Sequence, residues 1–536
     1  MADIHTVRSS RAFSTAPMPR GTDSARPGSV LAKTTSISPS SRTISATPGV
    51  RSPSRVARIR SPIRAPSASR WKSRFDRKGE HVAKIENEFV EARGTNGKFQ
   101  ARPFLPRKPI PDIGQAKIDG ERFHSREFMQ REWDMIWTRT WNIGCHVTEL
   151  EEPGDFRVHS FGRESLLFVR GEDDVIRGFY NICQHRGNVL CQVREGATER
   201  FKCPFHGWEW NLDGSLRQVM HPQLFPQFKN GVPKDDLGMV PLKTDTWGGW
   251  VWFNMDENAA PLRDFLGEAG RHLETYQLEN YNLIDYKSFE WKGNWKHAHD
   301  AFNESYHFEA LHPEFLDFAE GFDVPIELLG IHSRMLNFNH TVSEVLSDRD
   351  SMTPIRMKML GVPEGYEGSA KDVHLAIVEY KRSIQDESYI PYKQMNDEQL
   401  AHQYHYTFFP GTTFTSTPEM SIVFRYRPHE SDPNYCYYDF LITRHDPPGT
   451  LPPEFEYRLY RHDELPNYAE AFDATFDPVL ANVLQQDGTN MPTMQQGTAS
   501  RGFKGMILGE QEVRLRHFHQ TIDRYLRGDF PMRGDR

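Results

Sequence analysis

The chain has 536 residues, 37% of them hydrophobic and 12% aromatic, with a formal net charge of −8; this leaves room for roughly two to three domains with a sizeable core and excludes a fibrous or wholly low-complexity protein. No apolar run approaches the roughly 18 residues that a membrane helix needs, so no membrane span is predicted. Five cysteines in so long a chain (Cys145, Cys183, Cys191, Cys203, Cys436) and no apolar signal region argue against a disulfide framework and for a reducing, cytoplasmic compartment.

Residues 1–79 carry 16 Lys or Arg against only Asp3, Asp23 and Asp76, so the rest of the chain is more acidic than the net charge shows. This Ser-, Arg- and Pro-rich stretch buries too little apolar surface to offset its ordering entropy, and it reads as a disordered basic extension. An inert extension, a targeting segment and a basic arm for nucleic acid or acidic partners all fit its composition; nucleic acid is not expected as a partner of the acidic body. Residues 103–150 read as a helical part, with Phe128, Trp133, Ile136 and Trp137 at helical spacing within 125–141. From 151 to 254 the texture changes to short β-type runs split by turn signals such as Asp213-Gly214, a small all-β domain. Residues 255–530 place helical patterns (261–275, 295–311, 508–527) around extended aromatic-rich runs (404–409, 421–426, 437–443), as in an α+β domain with its sheet in the middle.

Two short loops in the β region each offer a thiolate and an imidazole: Cys183-Gln184-His185-Arg186-Gly187 and Cys203-Pro204-Phe205-His206-Gly207-Trp208. Two soft sulfurs and two neutral nitrogens suit a metal. Zinc is the obvious rival, but zinc fingers group their cysteines apart from their histidines. Here each loop runs Cys then His, so that the two cysteines can take one iron and the two histidines the other, as in a Rieske [2Fe-2S] centre. With these motifs the chain, from about residue 111 to 526, resembles the Rieske-type ring-hydroxylating oxygenases, catalytic (alpha) subunit. The implied fold class is α+β: an all-β Rieske domain inserted in a catalytic domain whose central antiparallel sheet is flanked by helices.

The same family carries an acid, three residues, an acid, two residues, His, four residues, His. Asp300, Glu304, His307 and His312 occupy those places. Asp300, Glu304 and His307 would share one helical face, whereas five residues turn His312 roughly 140° away from His307 on an ideal helix, so the helix must end or widen before it, as Pro313 suggests. The resemblance implies a mononuclear Fe(II) held by His307, His312 and a distant carboxylate; Asp487 in Gln485-Gln486-Asp487-Gly488 is the best match, positioned as on a turn, with Asp473 and Asp477 as alternatives. It further implies that Glu304, where many members have aspartate, links a Rieske histidine of one subunit to His307 of the next. That would require a head-to-tail ring, a homotrimer with or without a small beta subunit. His297 and His299 read as structural or supporting.

Without a G-x-G-x-x-G nucleotide fingerprint of its own, the chain is expected to receive NAD(P)H electrons through a reductase, with or without a ferredoxin. The implied activity is O2-dependent dioxygenation of an aromatic ring. The alternative is a monooxygenase or demethylase acting on a nonaromatic substrate, such as a quaternary amine or a steroid-like molecule, or on an N- or O-methylated one; an electron carrier or a zinc-binding module is the reading from another class. Tyr404, Tyr406, Phe408 and Phe409 are the candidates for lining a small-molecule pocket, with sheet core as the competing role.

Overall fold

The computed structural model describes residues 112–317, 319–321, 324–339, 366, 368, 372–385, 387–464, 468–471 and 478–529; the basic extension and the alternative ligands Asp473 and Asp477 lie outside them. Between Asn142 and Asn254 the alternating runs become strands: β1 Asn142–His146, β2 Asp155–Phe161, β3 Glu164–Arg170, β4 Ile176–Tyr180, β5 Glu195–Ala197, β6 Phe201–Lys202, β7 Glu209–Trp210, β8 Leu216–Gln218, β9 Pro241–Trp247 and β10 Trp250–Asn254. Seven form one antiparallel sheet in the order β1-β10-β9-β4-β3-β2-β5, while β6-β7-β8 form a small second sheet. The first strand of the seven-stranded sheet, β1, comes from the stretch expected to be helical. The Asp213-Gly214 turn joins β7 to β8, with Gly214 at φ 85°, a left-handed conformation that glycine adopts without strain.

The second large sheet contains β11 Tyr281–Trp291, β12 Ala319–Glu320, β13 Ile326–Leu329, β14 His332–Asn339, β15 Gln403–Phe408, β16 Thr412–Ser416, β17 Met420–Pro428, β18 Cys436–His445 and β19 Arg458–Tyr460. Its order is β12-β14-β15-β16-β17-β18-β11-β19 with β13 on β14, and the pairing is antiparallel except for β19 beside β11. The described helices are α1 Arg126–Glu132, α2 Leu262–Leu273, α3 Trp295–Ala301, α4 Phe308–Leu311, α5 Val373–Ser383, α6 Asp397–Ala401, α7 Tyr468–Ala471, α8 Pro478–Thr498 and α9 Val513–Arg527. The mixed α+β class is as expected, but two helical readings are corrected. The expected helix over 125–141 is α1 followed by a wider turn over Trp133–Trp137, which ends where β1 draws the chain into the first sheet. The expected helix over 295–311 breaks into α3 and α4.

Period-2 alternation decides what each side of the second sheet meets. On β15, Tyr406 lies 6.2 Å from the His272 ring of α2 and Phe408 5.8 Å from Trp247 of β9. Thr407 points the other way and donates to Asn303, in the turn after α3. Tyr404, Tyr406 and Phe408 therefore belong to the face turned away from α3, and Phe409 packs 4.8 Å from Tyr525 of α9. These four are sheet and helix core, the competing role, and not pocket lining.

Buried charge ties the two large sheets together. Asp439 on β18 accepts from Arg425 Nε at 3.0 Å and from Arg427 Nε at 2.6 Å, both on β17. Arg425 then donates to Gly144 O at 2.8 Å and Arg427 to Ser160 O at 2.7 Å, both in the first sheet. Burial by itself would raise the Asp439 carboxyl, but the Arg427 and Arg425 guanidiniums outweigh it and hold it far below the usual carboxylate range. Removing one partner of such a set leaves buried charge uncompensated, so Asp439→Asn is expected to lower unfolding free energy by about 3–5 kcal/mol, measured by urea denaturation. Because the folded carboxyl is depressed, this stabilisation is complete above its unfolded value near pH ~4 and is lost as pH falls toward the lower folded value. The gap between parent and variant therefore closes only in strong acid.

Candidate functional site: a cluster cradle and an iron triad

The two cysteine loops fold as copies of one another. Cys183 N donates to Asn188 O at 2.8 Å and Gly187 N returns to Cys183 O at 2.9 Å; Cys203 N donates to Trp208 O at 2.8 Å and Gly207 N to Cys203 O at 3.0 Å. Gly187 and Gly207 close the loops at φ 71° and 67°, where a side chain would be strained. Cys183 and Cys203 are buried, free thiols. The His185 and His206 rings are half-buried outside them, with centroids 4.6 Å apart. Trp208 stacks on His185 at 4.8 Å and 7° and fixes its plane. Burial raises the Cys183 thiol, and burial, with His206 and Arg186 adding to it, lowers the His185 imidazole. Neutral imidazoles are ready ligands, whereas the thiols must lose protons to a metal.

Among the described residues, one group of three or more His, Cys, Asp or Glu is close enough to hold a metal ion: His307, His312 and Asp487, whose ligand atoms all lie within 4.8 Å of one another. The Cys183, His185, Cys203 and His206 set is not such a group, as donors spread over a two-iron cluster must be.

The candidate iron site follows α3 in the chain, and α3 is firmly held. All four of its polar residues are buried and each has a partner. Lys296 Nζ pairs with Glu132 of α1 at 2.7 Å. His297 stacks on Phe123 at 4.1 Å and meets Thr498 Oγ1 at 3.0 Å. His299 stacks on Phe518 of α9 at 3.6 Å. Asp300 meets His299 Nδ1 at 3.2 Å and His519 Nε2 at 2.9 Å. Burial pushes His297 down to about 3 and His299 to about 4, so both are neutral structural residues, as read from the sequence. Asp300 fastens α3 to α9 through His519. The expected common helical face of Asp300, Glu304 and His307 is thereby corrected: α3 stops at Ala301 because the Asn303 amide takes over, donating to His299 O at 2.6 Å.

Glu304 and His307 follow in that turn. His307 begins and His312 ends the single-turn helix α4, the ending that Pro313 predicts. Glu304 Oε1 accepts from His307 Nδ1, and its other oxygen accepts from the backbone N–H groups of Tyr306 and, at 3.2 Å, His307. His312 Nδ1 donates to Gln486 Oε1 at 2.6 Å. Both rings thus present Nε2 to Asp487 Oδ1, at 3.8 Å from His307 and 3.3 Å from His312. Burial works against a charged His307 ring, but the Glu304, Asp487 and Glu512 carboxylates outweigh it and raise its value, a field that also favours a cation. Asp487 sits inside α8 and not on the turn expected from Gly488.

Gln486 is the residue that sequence reasoning missed, since nothing in Gln485-Gln486-Asp487 tells the two glutamines apart. Outer partners of ligating histidines set tautomer and aim. Gln486→Leu is therefore expected to weaken iron affinity about 10- to 100-fold with the cluster spectrum unchanged, measured by iron titration of the apo site.

Residues 140–229 match the Rieske [2Fe-2S] domain, and residues 278–528 match the catalytic domain of the ring-hydroxylating alpha subunit. The chain belongs to the Rieske oxygenase alpha subunits. It is 34% identical over 200 residues to the carnitine monooxygenase oxygenase subunit of Acinetobacter pittii, covering 36% of this chain and 52% of that one. It is 30% identical over 183 residues to the glycine betaine monooxygenase oxygenase subunit of Pseudomonas aeruginosa (34% and 41% covered). The chain thus spans about half the length of the curated relatives it matches. Among solved structures, a quaternary ammonium Rieske monooxygenase with L-carnitine superposes at TM-score 0.55 and 21% identity, covering 77% of this chain and 96% of that one. Naphthalene 1,2-dioxygenase with indole gives TM-score 0.57 and 19% identity, covering 77% and 93%. The fold is shared with both, and the donor sets fit the family's two metal centres: Cys2His2 for the cluster and 2-His-1-carboxylate for iron.

Proposed function

We propose that the chain is the terminal oxygenase of a Rieske monooxygenase system acting on a quaternary ammonium substrate. The observation that carries this reading is the similarity to carnitine and glycine betaine monooxygenase subunits in a chain whose His307, His312 and Asp487 lie close enough to hold one metal ion. It favours the nonaromatic alternative over aromatic dioxygenation. Salicylate 5-hydroxylase of a Ralstonia species, an aromatic-ring enzyme by name, is also similar, at 29% identity over 230 residues.

When bound, the cluster supplies single electrons and the iron binds and activates O2. His307, His312 and Asp487 would hold the ion, and Glu304 and Gln486 orient the two rings so that both Nε2 atoms face Asp487. The inner face of the second sheet adds aromatic surface: Phe302 lies 5.1 Å from Phe424 and 5.0 Å from Tyr438. Aromatic faces attract a methylated ammonium through their quadrupoles. In overall balance one oxygen atom enters a substrate C–H bond and the other leaves as water with two electrons and two protons. The electrons come from NAD(P)H through a reductase, with or without a ferredoxin, and Glu304 bridges to the cluster histidine of a neighbouring copy in a homotrimer.

The test is O2 uptake by the iron-loaded full chain with a surrogate reductase, offered glycine betaine, carnitine, salicylate or naphthalene. Uptake coupled to hydroxylation of a quaternary amine is expected. Coupling to the aromatic compounds alone would return the reading to aromatic oxygenation.

A further inference from the structure

Arg514, near the start of α9, is 1% exposed and has no carboxylate within ion-pairing distance among the described residues. Its Nε donates to Ser333 Oγ at 3.1 Å, and its NH2 to Thr407 Oγ1 at 2.6 Å, Asn303 Oδ1 at 3.2 Å and His405 O at 3.3 Å. Its NH1 has no partner although it is buried. Neutral acceptors satisfy two of the three nitrogens, but they leave the charge itself uncompensated. A buried guanidinium in that state is costly unless an anion completes it. Water at NH1 would supply a hydrogen bond and no charge.

Three observations place this guanidinium close to the turn that carries Glu304 and His307. It holds Asn303, which immediately precedes Glu304 in the turn leading to His307. The Tyr426 phenol feels both the Arg514 guanidinium and the carboxylate of the iron ligand Asp487. Phe302, the neighbour of Asn303, is ringed by Phe424, Tyr438 and, at 6.4 Å, Tyr426. An aromatic cluster suited to a methylated ammonium and a guanidinium with one free nitrogen thus adjoin the same turn. Burial, slightly offset by Tyr426, lowers Arg514 only to about 9, so it stays charged at neutral pH.

We propose that Arg514 is a specificity-determining residue that binds the carboxylate of a zwitterionic substrate, which carries its trimethylammonium group toward the aromatic cluster beside the iron site. This rests on the quaternary ammonium reading above and narrows it to carboxylate-bearing substrates. A single free nitrogen suits one carboxylate oxygen, and a charge-assisted hydrogen bond of this kind is stronger than a neutral one.

The test compares KM values of the iron-loaded full chain for glycine betaine, its methyl ester and choline, which share the trimethylammonium group and differ in the anion. The parent is expected to prefer glycine betaine over both by at least about tenfold in KM, the discrimination that a hydrogen bond to a charged group supplies. In Arg514→Gln that preference is expected to vanish through KM and not kcat, and Arg514→Lys, which keeps the charge without the fork, to restore part of it. Equal parent KM values for glycine betaine and its ester overturn the proposal without recourse to a variant that also loses contacts to Ser333, Thr407 and Asn303. A folded Arg514→Gln protein with both metals and an undiminished betaine preference overturns it as well. Failure of the parent to oxidise any of the three compounds or carnitine defeats the quaternary ammonium reading, and this proposal with it.

Discussion

Prepared with iron in excess, Asp487→Ala is expected to hold about two irons per chain where the parent holds about three. The cluster's EPR signal should be unchanged and oxygenation abolished. The carboxylate is buried, and both histidine Nε2 atoms converge on its Oδ1, at 3.8 and 3.3 Å. Removing it leaves a bidentate pair of imidazoles held in place by Glu304 and Gln486, and two neutral nitrogens do not retain Fe(II) against water. The cluster loops lie in a separate sheet and share no ligand with α8, which is why the loss should be confined to one centre. Metal analysis alongside the EPR signal of the reduced protein reads both at once. Retention of three irons would move the third ligand to another carboxylate, with Asp473 and Asp477 the first to examine.

Glu304→Gln is expected to leave the cluster complete, to weaken iron binding about 10- to 100-fold, and to reduce turnover by at least about a hundredfold even at saturating iron. Its two oxygens accept three N–H groups, from the His307 ring and from the backbone of Tyr306 and His307. An amide can accept on one side only, and its NH2 would face N–H donors on the other. The substitution therefore either turns the side chain out of the turn or frees the His307 ring, and in both cases the path proposed from a neighbouring copy's cluster is broken. Single-turnover mixing of the reduced enzyme with O2 and substrate distinguishes this from simple iron loss: the cluster should remain reduced while iron is present. A variant that keeps both metals and reoxidises its cluster at the parent rate would remove Glu304 from the electron path.

Local sequence determined the candidate donors. A Cys-x-His loop and a Cys-x-x-His loop can present their donors only if each turns tightly, and Gly187 and Gly207 at positive φ provide the turn; the backbone hydrogen bonds that close each loop lie within it. The end of α4 at His312 was likewise legible, because Pro313 cannot continue a helix with its missing N–H. Strands such as β3, β4, β15, β17 and β18 followed from alternation and turn residues, whereas β1 arose in a stretch expected to be helical.

Other features were decided only when distant segments met. Asp300 stands at the right spacing to join His307 on a helix, yet the helix stops at Ala301. Its continuation is outcompeted by Asn303, which is tied to His299 O, Thr407 and Arg514 from three other elements. Tyr404, Tyr406 and Phe408 carry the composition of a pocket, but the face on which a strand residue lands depends on register against β14 and β16, and a shift of one residue reverses every side chain. Gln486 and Gln485 are equivalent in sequence; the angle at which α8 crosses the His312 ring selects one of them. The chemistry of each donor is a property of the residue and its neighbours in the chain, so sequence determines it. Which donors share a centre, and which buried charge is left open, is set by long-range packing, and only the tertiary structure carries that information.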